Sequence, residues 1–203
     1  MTVPERQTDR KRAAILQAAI AEFRRNGFAA TSMDQIAATA GVSKRTVYNH
    51  FPGKEDLFEA ILLQLWHSAT TEQHLLYQHG VALSEQLRPF LQSKLHMFGD
   101  LDFLDLVRVA VAATIHTPER ARDIVDRLRG SETAIVSWLR AAQADQQLRA
   151  ADPVLMADML LGQLKSLAFW PQVAMGQAAL DAVQQEQVLS VTLGLFLAYY
   201  QSS

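Results

Sequence analysis

The sequence predicts an all-α protein: an N-terminal three-helix helix-turn-helix domain joined to a C-terminal helical bundle, about nine helices in total. Three observations carry that expectation. Apolar residues recur at the spacing of an amphipathic helix along most of the 203 residues. Sustained apolar–polar alternation and Asn-Gly turns between β-branched runs are missing, so no strand signal competes. Helix start and stop signals follow one another at short intervals, which implies brief connections and a bundle rather than domains on linkers.

The first helix is expected over about residues 9–25, with Ile15, Ala18, Ala19 and Phe23 on one stripe and Asn26-Gly27 as its stop. A short second helix covers about 33–39. Ser32 can cap it, Gln35 completes a capping box, and Ile36 and Ala37 form its buried face. Gly41 breaks the chain, Ser43 can cap a third helix to about His50, and Pro52-Gly53 ends it. A long fourth helix starts near Lys54, with Leu57, Phe58, Ile61, Leu62 and Leu65 along one side. Beyond His79-Gly80, helices are expected over about 84–98, with Pro89 near the start or at a kink, and over about 102–116. Thr117-Pro118-Glu119 opens another to about 144. Asp152-Pro153 opens one to about 175, interrupted by Pro171, and the last covers about 179–200.

Composition narrows the class. Apolar residues make up 49% and charged residues 20%, an ordinary globular balance. No apolar run approaches the ~18 residues of a membrane span. The opening MTVPERQTDRKR is polar and mixed in charge, unlike a secretory signal, and a cytoplasmic location is expected. Without cysteine there are no disulfides or thiolate metal sites. The net charge of −2 hides an asymmetry. Residues 1–54 carry nine Lys/Arg against four Asp/Glu, and the remaining chain ten against seventeen. A basic module on an acidic body suggests a polyanion partner at one end.

The informative stretch runs from Phe28 to Leu57. Two short helices meet at Ala40-Gly41-Val42-Ser43, a tight turn of helix-turn-helix type. Ile36, Ala37, Val42, Val47 and Phe51 are spaced to pack inward. Lys44, Arg45, Thr46, Tyr48, Asn49 and His50 remain outside, all donors or aromatic, with no acid among them. Such a helix fits the major groove, its N-terminal residues reaching base edges. Arg45 is the best base reader, because its fork matches guanine O6 and N7. Lys44 suits a base or a phosphate. Thr46, Tyr48 and His50 suit phosphate oxygens. Ser32 and Ser43 sit at helix N-termini, where free N–H groups attract phosphate and where each is also a cap. Lys54 opposes the dipole of its own helix, which is understandable if a phosphate lies opposite.

Gly27-Phe28, Thr31-Ser32, Ile36-Ala37, Ala40-Gly41-Val42-Ser43-Lys44, Tyr48, His50-Phe51, Lys54-Glu55 and Leu57 together resemble the DNA-binding domain of the tetracycline-repressor (TetR) family. The resemblance covers roughly residues 10–65. It implies a homodimer with a DNA-binding domain at about 1–53, and a ligand-binding and dimerisation domain at about 54–203. It implies that Ser32, Ser43, Lys44, Thr46, Tyr48, His50 and Lys54 touch DNA, mostly at phosphates. Effector identity does not transfer with it.

In the C-terminal region, two stripes are candidate dimer surface: Met156, Leu160, Gln163 and Leu167, and Leu189, Thr192, Phe196 and Tyr200. Both equally suit a core. Candidate pocket residues are Trp66, Phe103, Arg108, Trp138, Met159 and Trp170. Arg108 interrupts an apolar run, and would meet an anionic effector or pair with Asp102 or Asp105. No cofactor or metal is expected. Asp100, Asp102 and Asp105 read as dipole-compensating acids, His67 and His74 are seven residues apart, and His96 and His116 are isolated.

The expected function is a repressor that binds a palindromic operator as a homodimer and is released by a small apolar or amphipathic effector. The alternatives are a regulator without an effector and a helical-bundle enzyme. Against the enzyme, no nucleophile elbow, phosphate loop or histidine-metal helix motif is present.

Overall fold

Most of the start and stop signals delimit helices in the computed structural model, which describes residues 7–70, 75–114, 119, 122 and 133–202. Ten helices lie among them: α1 (Gln7–Asn26), α2 (Met33–Thr39), α3 (Lys44–His50), α4 (Lys54–Thr70), α5 (Leu83–Gly99), α6 (Leu101–Thr114), α7 (Thr133–Ala144), α8 (Pro153–Ala168), α9 (Trp170–Met175) and α10 (Ala182–Tyr200). There is no strand among the described residues. An isolated antiparallel bridge joins Leu148 to Gln201. The start signal at Thr117-Pro118-Glu119 falls mainly outside the described residues. The helix starting at Pro153 breaks at Phe169, after which Pro171 lies in the first turn of α9.

The chain divides into two compact units. The first takes in Met1–His67 and Asp105–Ile124, the second Ser68–Leu104 and Val125–Ser203. In the first, α1 packs on α2 and α2 on α3. Ile15, Ala19, Phe23, Ile36, Val47, Phe51, Leu57 and Ile61 form its core. The Phe28 ring stands between those of Phe23 and Phe58, at 5.2 and 5.4 Å. Burying one such branched or aromatic side chain contributes roughly 1.5–3 kcal/mol.

In the second unit α8 is central, packed by α5, α7, α9 and α10. Leu87, Leu91, Trp138, Leu139, Leu160, Leu164, Leu189 and Phe196 fill the space between. The buried Gln86 orders the segment before α5. Its amide donates to the carbonyls of Gln78 (2.9 Å) and Val81 (2.8 Å), and its Oε1 accepts from the Gln78 N–H and the Trp138 indole. Tyr77 stacks edge-on against Trp138 and donates to Asp145, which also meets His79 at 2.8 Å. Burial, reinforced by Asp145, pushes the Tyr77 phenol up to about 12. The Tyr77 hydrogen bond and then that of His79 hold Asp145 below the usual carboxylate range.

Candidate nucleic-acid interface

The turn that aims α3 is built from backbone geometry. Ala40 ends α2 and Gly41 follows at φ +65°. The Val42 N–H donates to the Ala37 carbonyl at 3.1 Å and the Gly41 N–H to that of Ala38 at 3.2 Å. Those two bonds are the paired closure of a Schellman turn, which needs a residue tolerant of positive φ at this point. Ser43 then caps α3, its Oγ accepting from the Thr46 N–H at 3.1 Å and sharing a 2.8 Å bond with the Thr46 hydroxyl. Ser32 caps α2 in the expected box. Its Oγ accepts from the Gln35 N–H at 3.2 Å, and Gln35 Oε1 accepts from the Ser32 N–H at 2.7 Å.

Val47 alone of α3 is fully buried and fixes the roll of the helix. Lys44, Arg45, Tyr48 and Asn49 are exposed, as are Ser32 and Ser43, while Thr46, His50 and Lys54 are half-buried. Arg45 makes no hydrogen bond or ion pair among the described residues. The side of α3 rich in donors thus projects outward from its own unit, free of acids of its own.

Three features at this site were not anticipated. First, Lys44 is paired across the turn with Asp34 of α2. Second, Lys54 has partners within the chain. Its ammonium donates to the carbonyls of Phe28 (2.9 Å) and Ala29 (3.1 Å) and lies 4.9 Å from the Phe28 ring centre. Those carbonyls explain a cation at a helix N-terminus without a phosphate. Third, the carboxylate of Glu22 is buried at the α1–α2 junction. It accepts from the Thr39 hydroxyl (2.7 Å), Arg25 (2.6 Å) and Asn26 (2.8 Å). Thr39 chiefly, then Arg25 and Asn26, hold its pKa below the ordinary range against the opposing effect of burial. The backbone of Glu22 and of Gly27 also accepts from the buried Thr31 hydroxyl. The sequence signal for Glu22 was its place on the Ala18–Ala19–Phe23 side of α1, where an acid needs partners.

Other expected positions are rearranged. Met156, Leu160, Leu189, Thr192, Phe196 and Tyr200 are buried within their own unit, so they are core and not dimer surface. Gln163 is half-buried and Leu167 exposed. Besides Leu167, α8 exposes Val154, Leu155 and Met159, and α10 exposes Val183, Val191, Leu195 and Tyr199. The described pocket candidates differ in their surroundings. Met159 and Trp170 are about half exposed. Phe103 is buried against Phe169, with ring centres 6.2 Å apart, and Trp138 belongs to the Gln86 network. Arg108 pairs with Asp105 at 2.9 Å, and Asp105 also binds Arg24 of α1. Of the partners expected for Arg108, Asp105 is the one it meets within the chain. The Trp66 side chain, His74 and His116 lie outside the described residues.

Comparison with known proteins agrees with this architecture. Residues 15–61 match the bacterial regulatory proteins of the tetR family, and residues 85–202 match the AefR-like transcriptional repressor C-terminal domain. The crystal structure of a TetR family transcriptional regulator from Pseudomonas syringae pv. tomato str. DC3000 superimposes with a TM-score of 0.84 at 47% identity, covering 96% of this chain and 99% of that one. The flavonoid-responsive regulator FrrA does so with a TM-score of 0.72 at 30% identity, over 95% and 97% of the two chains. The HTH-type transcriptional regulator RutR of Escherichia coli strain K12 is 26% identical over 190 residues, 90% of this chain and 84% of RutR. No helix among the described residues is long and apolar enough to cross a membrane. The chain belongs to the TetR family: it is a helix-turn-helix transcriptional regulator and not an enzyme.

Proposed function

We propose that the protein is a repressor that binds a palindromic operator as a homodimer and is released by a small apolar or amphipathic effector. The observation that carries the reading is the outward, acid-free face of α3, fixed by Val47 on the inside and by the Ser43 cap at its start. Arg45 reads a guanine edge, with Asn49 beside it. Ser32, Ser43, Thr46, Tyr48 and His50 contact phosphates and set the register. Lys54 acts as a clamp on the α1–α2 connection. Residues 1–53 read DNA in this scheme, and 54–203 carry dimerisation and effector binding, in the cytoplasm.

A single α3 makes few contacts, so useful affinity requires two. The second copy docks on the exposed faces of α8 and α10. Two observations support that choice. Leu155, Met159, Val191, Leu195 and Tyr199 are all exposed there. Gly162 and Gly194 lie mid-helix on the same helices with open space where a Cβ would stand. A helix-interior glycine costs roughly 0.5–1 kcal/mol against alanine, a cost that close approach of a partner helix explains.

An effector acts by population shift, binding best to a dimer whose reading helices are spaced unsuitably for the operator. Phe103 and Trp138, the candidates that are buried, remain the expected lining. FrrA, by its name, responds to flavonoids, which supports an aromatic effector class here. Selection of bound sequences from random DNA tests the reading. A palindrome with half-sites about 34–36 Å apart is expected. Failure of the protein to enrich any sequence would sink it.

A further inference from the structure

Asp34 is a negative charge placed where the protein is to meet a polyanion. Its position in the first turn of α2 suits the helix dipole, but the dipole does not account for its partner. The carboxylate reaches across the turn to the Lys44 ammonium, ten residues on, and both side chains remain more than half exposed. Lys44 is the first residue of α3, the end of a reading helix that approaches base edges.

A phosphate bound by Lys44 would sit beside the Asp34 carboxylate, anion against anion. A base edge has the opposite property. In the major groove a G·C pair presents guanine O6 and N7 as acceptors and, next to them, the cytosine N4 amino group as a donor. The pair on the protein presents the mirror pattern. The ammonium has three N–H donors and gives one to Asp34 Oδ2, and the second carboxylate oxygen accepts no hydrogen bond among the described residues. Both partners can therefore engage the base pair without breaking their own bond, so neither charge is left unpaired.

We propose that Asp34 and Lys44 form one base-reading unit for a G·C pair, Lys44 donating to guanine and Asp34 accepting from cytosine N4. This rests on the operator-binding reading above and assigns Lys44 to bases rather than to phosphate. Away from G·C, Asp34 repels the backbone and weakens non-specific binding.

The test is selection from random DNA with the full chain and with Asp34→Ala and Lys44→Ala, followed by salt titration of operator and non-operator binding. Both variants lose the G·C preference at the same position of each half-site, by roughly 5- to 150-fold, and keep the others. Asp34→Ala also tightens non-operator binding. Retention of every base preference by Asp34→Ala overturns the proposal. So does uniform weakening by Lys44→Ala with a salt slope lower by about 0.9, the mark of a phosphate contact. If the unmodified chain enriches no sequence, the operator reading itself fails, an outcome distinct from either. Unchanged melting of both variants establishes that they fold.

Discussion

Lys54 and Phe28 are bound twice, by a 2.9 Å hydrogen bond from the lysine ammonium to the phenylalanine carbonyl and by the approach of that cation to within 4.9 Å of the ring centre. The contact ties the first turn of α4 to the connection between α1 and α2. It lies at the foot of the aromatic row Phe23–Phe28–Phe58, so the charge and the core hold the same loop.

If that clamp is the role of Lys54, Lys54→Ala lowers the stability of the protein by about 1–2 kcal/mol, the scale of a charge-assisted bond with a cation–π contact at a half-buried site. Lys54→Arg recovers most of it. Denaturant unfolding measures both. The salt dependence of operator binding stays unchanged in Lys54→Ala, and a slope reduced by about one would instead assign the lysine to a phosphate.

Glu22 gives the reading unit a dependence on acid. Its folded pKa is depressed, chiefly by the Thr39 hydrogen bond. A depressed carboxylate stabilises the fold above its unfolded value, about 4.3 for glutamate, and that contribution is lost as pH falls through the folded value. Glu22→Gln is therefore less stable than the parent at neutral pH, and the gap closes on acidification. Unfolding midpoints followed down the acid limb check the convergence. Parallel curves would show that Glu22 is not a source of the dependence.

The sequence made the first unit legible because its signals are local. Ser32-Gln35, Gly41 and Ser43 each act within four residues, and each forms the cap or turn expected. The Asp34–Lys44, Lys54–Phe28 and Glu22–Thr39 contacts span 10, 26 and 17 residues, and no local periodicity announces such pairs. The second unit was less legible for another reason. Both sides of α8 and α10 are apolar, so periodicity found a stripe on each without saying which faces inward. Leu160 and Phe196 proved to be core, while Met159 and Leu195, one position away, are exposed.

Arg45→Ala separates base reading from backbone binding. Base preference at one operator position falls by about 1–3 kcal/mol, with little change at other positions. Competition between operator variants measures it. A uniform loss across all sequences would place Arg45 on a phosphate.

Tyr77 supplies a marker in the second unit. A phenol raised to about 12 stabilises the fold below its unfolded value of about 10, and this stabilisation disappears as pH rises through the folded value. In an ultraviolet phenolate titration one tyrosine ionises near 12. Tyr77→Phe removes that step together with the alkaline loss of stability between the two values. Persistence of the step in the variant would assign it to another tyrosine.

Gly194 decides the dimer surface by the sign of one substitution. The structure leaves open space where its Cβ would lie, and the residue is exposed within α10. In a chain that stays monomeric, Gly194→Ala removes a poor helix former at no steric cost and raises stability by about 1 kcal/mol. Where a second copy packs its helix against this face, the added methyl holds the backbones apart and overpacks the contact, at about 1–3 kcal/mol. We expect the second result: sedimentation shows weaker dimerisation, and operator affinity falls with it. Leu195→Glu, on the same exposed face, gives monomer outright, whereas Leu160→Ala acts on the core and lowers unfolding stability by about 2–5 kcal/mol through a cavity. A Gly194→Ala protein that is more stable, equally dimeric and equally tight on DNA would move the interface off α10.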